Sequence, residues 1–173
     1  EKFGWTEGVS KLYTTLSHDF LYKDPTRNVI FLDNHDMTRI LSSLGESIPK
    51  TKMALAWLLT CRGIPQLYYG TEVLMKGISN PDGWVRLDFP GGWAGDKKNT
   101  FTQEGLTPAE IDMLSFTKKL GQFRKNHPAV GAGVHQQIST TPYVFSRTFT
   151  QGKYKDQVVV GLNLAKGKNN RNR

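Results

Sequence analysis

The 173-residue sequence contains a single cysteine, Cys61. One thiol cannot close an internal disulfide, so oxidative stapling is excluded as a source of stability. Cys61 lies in the apolar run "MALAWLLTCR", and mid-helix among such neighbours it is expected to serve as a small buried hydrophobe rather than a nucleophile. No apolar run approaches the ~18 residues of a membrane-spanning helix. Acidic residues are outnumbered: 15 Asp and Glu stand against 23 Lys and Arg, a formal net charge of +8. The excess is scattered, apart from a basic tail, "KGKNNRNR". With neither a basic helix nor an aromatic-interleaved stripe, a solvated tail is the simpler reading and no nucleic-acid partner is expected. Missing motifs narrow the chemistry further. There is no H-E-x-x-H, no Cys/His spacing for zinc and no EF-hand loop, so no metal ligand is named. There is no G-x-S-x-G of a serine hydrolase. The glycine-rich "FPGGWAGDKKNT" matches neither phosphate-binding pattern. The chain opens "EKFGWTEG", without an initiator Met or a signal-peptide pattern, and is expected to be part of something longer.

What is present reads as an ordinary globular protein, 38% apolar and 22% charged. Val9, Leu12, Tyr13, Leu16 and Phe20 recur at helical spacing and predict an amphipathic helix that ends at Asp24-Pro25. Val29-Ile30-Phe31-Leu32 is a short continuous apolar run between turn signals, which suits a strand covered on both faces. A second helix, nearly apolar all round, is predicted from Ser47 and Pro49 to a stop at Gly63. "GIPQLYYGTE" is a second strand-like run. A long loop over residues 73–106 leads to Thr107-Pro108-Ala109-Glu110, a capping box with Pro at the first helical position. Met113, Phe116, Leu120 and Phe123 form the stripe of that helix, and His127-Pro128 ends it. Then the pattern changes to short β runs, "GVHQQIS", "YVFSRTFT" and "QVVVGLNL". Helix, strand, helix, strand, helix implies parallel strands and an α/β fold. The β segment is expected to be a separate module with a boundary near residues 130–133.

Chemistry gathers where the two strands end. The first runs into Asp33, Asn34, His35 and Asp36; the second into Tyr68, Tyr69, Thr71 and Glu72. In parallel α/β folds functional groups collect at such strand ends. Alternation along an extended strand would point Asp33 and His35 the same way. Such groups can also simply cap a loop or the next helix, and composition alone leaves both roles open.

"FLDNHD" resembles the fourth conserved region of the α-amylase family of glycoside hydrolases. "GIPQLYYGTE" resembles the segment on that family's eighth barrel strand. "MKGISNPDGWVRLDFPGGWAGDKKNTF" is similar to the loop that follows in neopullulanase-like and cyclomaltodextrinase-like members. The match covers nearly the whole chain, and the three segments fall in the family's order. The resemblance implies the C-terminal part of a (β/α)₈ TIM barrel, strands 7 and 8 with their flanking helices, over residues 1–130. Residues 131–173 would begin a small antiparallel β domain. Independently, a whole barrel of this kind needs about 250 residues and cannot fit in this length.

The resemblance also implies roles. Asp36 would be the carboxylate that stabilises the oxocarbenium-like transition state in a retaining mechanism, and His35 would hydrogen-bond the same sugar, with Asn34 in support. Asp82 and Arg86 resemble a pair that helps hold the glucan, although "NPDGWVR" departs from the commoner form and such a pair can also merely pin a loop. Trp84 and Trp93 could stack on sugar faces or anchor the loop; Tyr69 and Glu72 would support the site floor. Retaining hydrolysis needs a nucleophile and a general acid about 5 Å apart. In this family they come from strands absent here, so the isolated chain is expected to be inactive. The partners implied are an α-glucan or maltooligosaccharide and the missing N-terminal part of the barrel, and two open strand edges predict self-association. No cofactor is implied in this chain, although the family often carries a structural Ca²⁺ held mostly upstream. The resemblance suggests a bacterial periplasmic or cell-envelope setting; the residues themselves carry no address. Two other readings stand beside it: a non-catalytic carbohydrate-binding module and an oligomerising structural fragment.

Overall fold

A computed structural model describes residues 9–163. The basic tail and the first residues of the predicted N-terminal helix segment lie outside that range. The first helix, α1 (Ser10–Ser17), tightens into a 3₁₀ turn over His18–Leu21. Val9, Leu12 and Tyr13 face the interior as the spacing predicts. Phe20 does not: it is 80% exposed, because the switch to 3₁₀ geometry rotates it off the apolar stripe.

The first strand, β1 (Val29–Phe31), pairs in parallel with β2 (Ile64–Gln66), Ile30 standing opposite Pro65. Between them lie a one-turn helix, α2 (Ile40–Ser43), and α3 (Ile48–Thr60). The long helix α4 (Pro108–Asn126) follows. Leu55 and Leu58 of α3 and Met113 of α4 are buried together, with Ile30, Leu32, Leu67, Phe116 and Leu120 packed around them. Burying each such side chain contributes roughly 1.5–3 kcal/mol, so this helix-on-sheet contact is what holds the pair of strands. Phe123, the last member of the predicted α4 stripe, is 36% exposed and lies against the His127 ring instead.

The expectation of a strand covered on both faces is corrected. Ile30 packs inward, but Val29 and Phe31 are 54% and 43% exposed, and Ile64 of β2 is 52% exposed. Period-2 alternation sends these three to the opposite face, where no described element lies over them. The second strand is also shorter than the apolar run: pairing ends at Gln66, before the two tyrosines.

Two details at the end of α3 differ from the sequence reading. Cys61 is the C-cap, with extended backbone angles, rather than a mid-helix residue; its burial is complete, and burial pushes the thiol up to about 11. Gly63 therefore sits two residues past the cap. Its φ is +105°, and a Cβ there would meet the Asn28 carbonyl oxygen at 2.7 Å. Only glycine lets β2 start that close to β1, where the Ile64 N–H bonds the Asn28 carbonyl.

The capping box at Thr107 is formed as read: the Thr107 hydroxyl accepts from the Glu110 N–H, and the Glu110 carboxylate accepts from the Thr107 N–H. After Pro128 comes a short helix, α5 (Pro128–Ala132), that the sequence pattern did not reveal. An antiparallel meander closes the described chain: β3 (Val134–Thr140), β4 (Tyr143–Gln151) and β5 (Tyr154–Leu162). Tyr143, Phe145 and Leu162 of this sheet form a cluster with Leu12 and Tyr13 of α1 and Trp57 of α3.

Candidate active site

The strand β1 ends at Phe31, and the polar block begins only after it. Asp33 turns inward and is 2% exposed. Its Oδ2 accepts the Ile40 N–H at 2.8 Å, closing an orphan donor at the start of α2, whose N-cap Arg39 supplies no side-chain acceptor. The Thr71 hydroxyl stands 3.4 Å from the same oxygen. Burial pushes the Asp33 carboxyl above its usual range, against the pull of the Ile40 N–H, the Arg39 charge and Thr71. Asp33 is thus a helix cap. The expected shared direction of Asp33 and His35 is overturned, because alternation stops with the strand.

Asn34, His35 and Asp36 form an exposed turn. The Asn34 Oδ1 accepts the Asp36 N–H at 2.9 Å, an Asx turn that fixes the backbone. The Asp36 carboxylate is held on both oxygens: Oδ2 lies 3.2 Å from His35 Nε2, and Oδ1 accepts from Arg86 Nη2 at 3.0 Å. Arg86 arrives from a distant loop. Its Nη2 also lies 2.9 Å from Asp82 Oδ2, and its Nε donates to the His35 carbonyl at 2.9 Å. A 3₁₀ turn over Asp82–Val85 presents the Asp82–Arg86 pair. All five residues expected to serve the site therefore meet in one cluster. The side chains of His35 and Asp36 are each 64% exposed. Ion pairs this open to water contribute about 0–1 kcal/mol of stability, so the network's effect is to orient a carboxylate rather than to hold the fold.

Beneath the turn lie Tyr68 and Tyr69, their rings 4.6 Å apart and edge-on. The Tyr68 hydroxyl donates to the Val85 carbonyl and the Tyr69 hydroxyl to the Leu87 carbonyl, gripping the segment that carries Arg86 on either side. Glu72 is partly buried and burial raises its pKa; its Oε2 has no hydrogen-bond partner among the described residues. The loop is seated by Gly77, whose Cβ would stand 2.3 Å from the Trp84 carbonyl oxygen. Trp84 and Trp93 are 54% and 67% exposed.

Sequence reasoning missed Arg39. It is fully buried, and its guanidinium stacks 4.6 Å and 4.9 Å from the Tyr68 and Tyr69 ring centres. The only signal was a charged residue three places after Asp36, and nothing in the sequence marks that charge as buried.

The arrangement offers an exposed, oriented carboxylate, Asp36, flanked by an imidazole and a guanidinium, with a second exposed carboxylate, Asp82, on the far side of that guanidinium. A second carboxylate placed to attack or protonate a sugar is not found in this turn: Asp33 is buried and engaged with the Ile40 N–H at the start of α2. Among the described residues no group of three or more His, Cys, Asp or Glu side chains is placed to hold a metal ion, and no step is assigned to one.

Parallel strands with helices packed on one face and polar groups at their carboxyl ends define an α/β protein of the barrel or doubly wound kind. Within that class the chain belongs to the α-amylase family, matching the family's profile for the alpha amylase catalytic domain over residues 5–128. A cyclomaltodextrin glucanotransferase from Geobacillus stearothermophilus is 34% identical over 150 residues, 86% of this chain and 18% of that protein. An α-amylase from Niallia circulans is 31% identical over 159 residues, 91% of this chain and 26% of the relative. The crystal structure of an α-amylase from Geobacillus thermoleovorans complexed with acarbose superposes with a TM-score of 0.65 at 28% identity, over 88% of this chain and 31% of that one. The chain thus spans about a quarter or less of the curated relatives' length.

Proposed function

We propose that this chain is the C-terminal part of the catalytic barrel of a retaining glycoside hydrolase that acts on α-glucans such as starch, maltooligosaccharides or pullulan. In this reading β1 and β2 are barrel strands 7 and 8, with α1, α3 and α4 as flanking helices. Residues 131–173 begin a small antiparallel β domain. Asp36 stabilises the positive charge that develops on the sugar ring, and His35, Asn34, Asp82 and Arg86 bind the glucan.

The observation that carries this reading is the meeting of Asn34, His35 and Asp36 with Asp82 and Arg86, in which the Arg86–Asp36 bond joins residues 50 apart in sequence. Hydrogen bonds from a carboxylate to ring hydroxyls that tighten in the transition state stabilise it by several kcal/mol. The nucleophile and general acid are supplied by chain outside this one. The narrower neopullulanase-like or cyclomaltodextrinase-like assignment rests on the loop from Met75 to Phe101 alone; the relatives named above are an α-glucan transferase and α-amylases.

The exposed Val29, Phe31 and Ile64 face supports pairing with the upstream half of a barrel, or self-association when that half is absent. Light scattering that finds a monodisperse monomer of the 173-residue chain would count against this. The exposed Trp84 and Trp93 favour, as a second reading, a module that binds glucan without cleaving it.

In the longer enzyme, Asp36→Asn is expected to lower kcat on maltoheptaose by at least about a hundredfold, as loss of a transition-state contact does. Near-normal turnover would refute the role. The 173-residue chain alone is expected to release no reducing ends from maltoheptaose or pullulan; dose-dependent release would overturn the division of the site between two chain segments.

A further inference from the structure

Arg39 is buried at a cost that space-filling does not explain. Its exposure is 0%, and among the described residues only its Nη1 has a hydrogen-bond acceptor, the Tyr69 carbonyl at 2.6 Å. Its Nε and Nη2 have no hydrogen-bond partner among the described residues. Withdrawing a cation from water without full compensation is expensive, and an apolar side chain of similar length would fill the same volume without that penalty. Two features of the surroundings call for the charge. The guanidinium lies against the faces of both Tyr68 and Tyr69, where the ring quadrupoles attract a cation. It also sits near two carboxyls, the buried Asp33 just past the end of β1 and the partly buried Glu72 beyond β2, and its charge favours the ionised form of each.

The tyrosines lead onward to the site. Their hydroxyls bond the carbonyls of Val85 and Leu87, the residues on either side of Arg86. Arg86 in turn reaches Asp36 Oδ1 and the His35 carbonyl. The Arg39 backbone N–H bonds the Gly77 carbonyl at 3.0 Å and ties the base of the same loop to the turn.

We propose that Arg39 is a positioning residue: packed over the rings of both Tyr68 and Tyr69, it fixes the loop that presents Arg86 to Asp36, and so sets the geometry of the sugar-facing carboxylate. This inference rests on the reading of Asp36 given above. Arg39 touches no substrate; it acts through two rings and one guanidinium. Charge alone is not enough, because the stack and the carbonyl bond need a planar fork that lysine does not provide.

The test is a mutant cycle in the longer enzyme with maltoheptaose. Arg39→Met is expected to lower kcat/KM by roughly tenfold to a hundredfold, the scale of an ångström-sized misplacement. In an Arg86→Ala background the same change should cost no more than about twofold, because the group being positioned is already gone. Arg39→Lys should restore thermal stability more than it restores kcat/KM. If Arg39→Met does not fold, Tyr69→Phe carries the test: it keeps the ring, loses the hydroxyl to Leu87, and its effect should likewise vanish in the Arg86→Ala background. Equal losses with and without Arg86, for either variant, would overturn the proposal. Asp36→Asn measured alongside separates the two claims. Normal turnover of that variant sinks the catalytic reading, while the coupling of Arg39 to Arg86 is still read from KM.

Discussion

The two ends of the β1–β2 pair use arginine in opposite ways. At the amino-terminal end, the terminal guanidinium nitrogens of Arg124 and Arg147 donate to backbone carbonyls. Arg124 bonds Leu59 and Gly63, and Arg147 bonds Thr60 and Gly133. Leu59, Thr60 and Gly63 lie at or just past the carboxyl end of α3, where orphan carbonyls and the negative pole of the helix favour cations, and Gly133 is the C-cap of α5. Arg147 is fully buried, which lowers its pKa to about 10 and still leaves it charged at neutral pH. At the carboxyl-terminal end, Arg86 is open to water and bonds the carboxylates of Asp82 and Asp36. Buried guanidinium on carbonyls holds segments together. Exposed guanidinium on carboxylates adds little stability, so the energetic reason for it lies in what it orients. Arg39 joins the two styles, since it is buried yet sits at the end of the molecule where the exposed network lies.

The sharpest way to break this contrast is to exchange the expected losses. Asp36→Asn should remove at least about a hundredfold of kcat in the longer enzyme while leaving unfolding free energy within about 0.5 kcal/mol. Arg147→Met should do the reverse. Losing two charge-assisted hydrogen bonds to Thr60 and Gly133 is expected to cost about 2–3 kcal/mol in urea unfolding, with kcat of the folded enzyme unchanged. A stability loss from Asp36→Asn equal to that of Arg147→Met would erase the distinction between the two ends.

Smaller effects sharpen the same comparison away from both ends. Thr107→Ala removes the N-cap of α4 and should cost about 1 kcal/mol by urea titration, without effect on turnover. Glu110, its reciprocal partner, gives a pH signature. Burial raises its pKa, but Lys98 and the Thr107 donors outweigh burial and leave the carboxyl below its usual 4.5. A folded pKa below the unfolded one contributes stability that is present above the unfolded value and is lost as pH falls through the folded value. Thermal midpoints measured downward from pH 5 should therefore fall less steeply in Glu110→Gln than in the parent. An unchanged slope would show that the exposed part of this cap is screened by solvent.

Much of this was legible in the chain itself. Thr107-Pro108-Ala109-Glu110 announced α4 because a capping box is a local device, complete within four residues. The Asn34-His35-Asp36 turn and the Asp82–Arg86 pair stood out by residue type and by resemblance, and the structure gathers them. What failed were statements that depended on remote partners. The direction of Asp33 was misjudged because the Ile40 N–H, seven residues on, claimed its carboxylate. Coverage of Val29 and Phe31 was misjudged because an apolar run says that a residue avoids water, not which segment shields it.

The sequence by itself determined the order of the longer helices and the strands, the parallel pairing and the family, since periodicity, caps and motifs are written over short spans; the short helices α2 and α5 left no such mark. Only the tertiary structure decided which charges are structural and which are presented to solvent. Arg39, Arg86, Arg124 and Arg147 are the same residue in a list. They differ because a guanidinium's role is fixed by the acceptors it meets, and those acceptors come from segments up to 87 positions away.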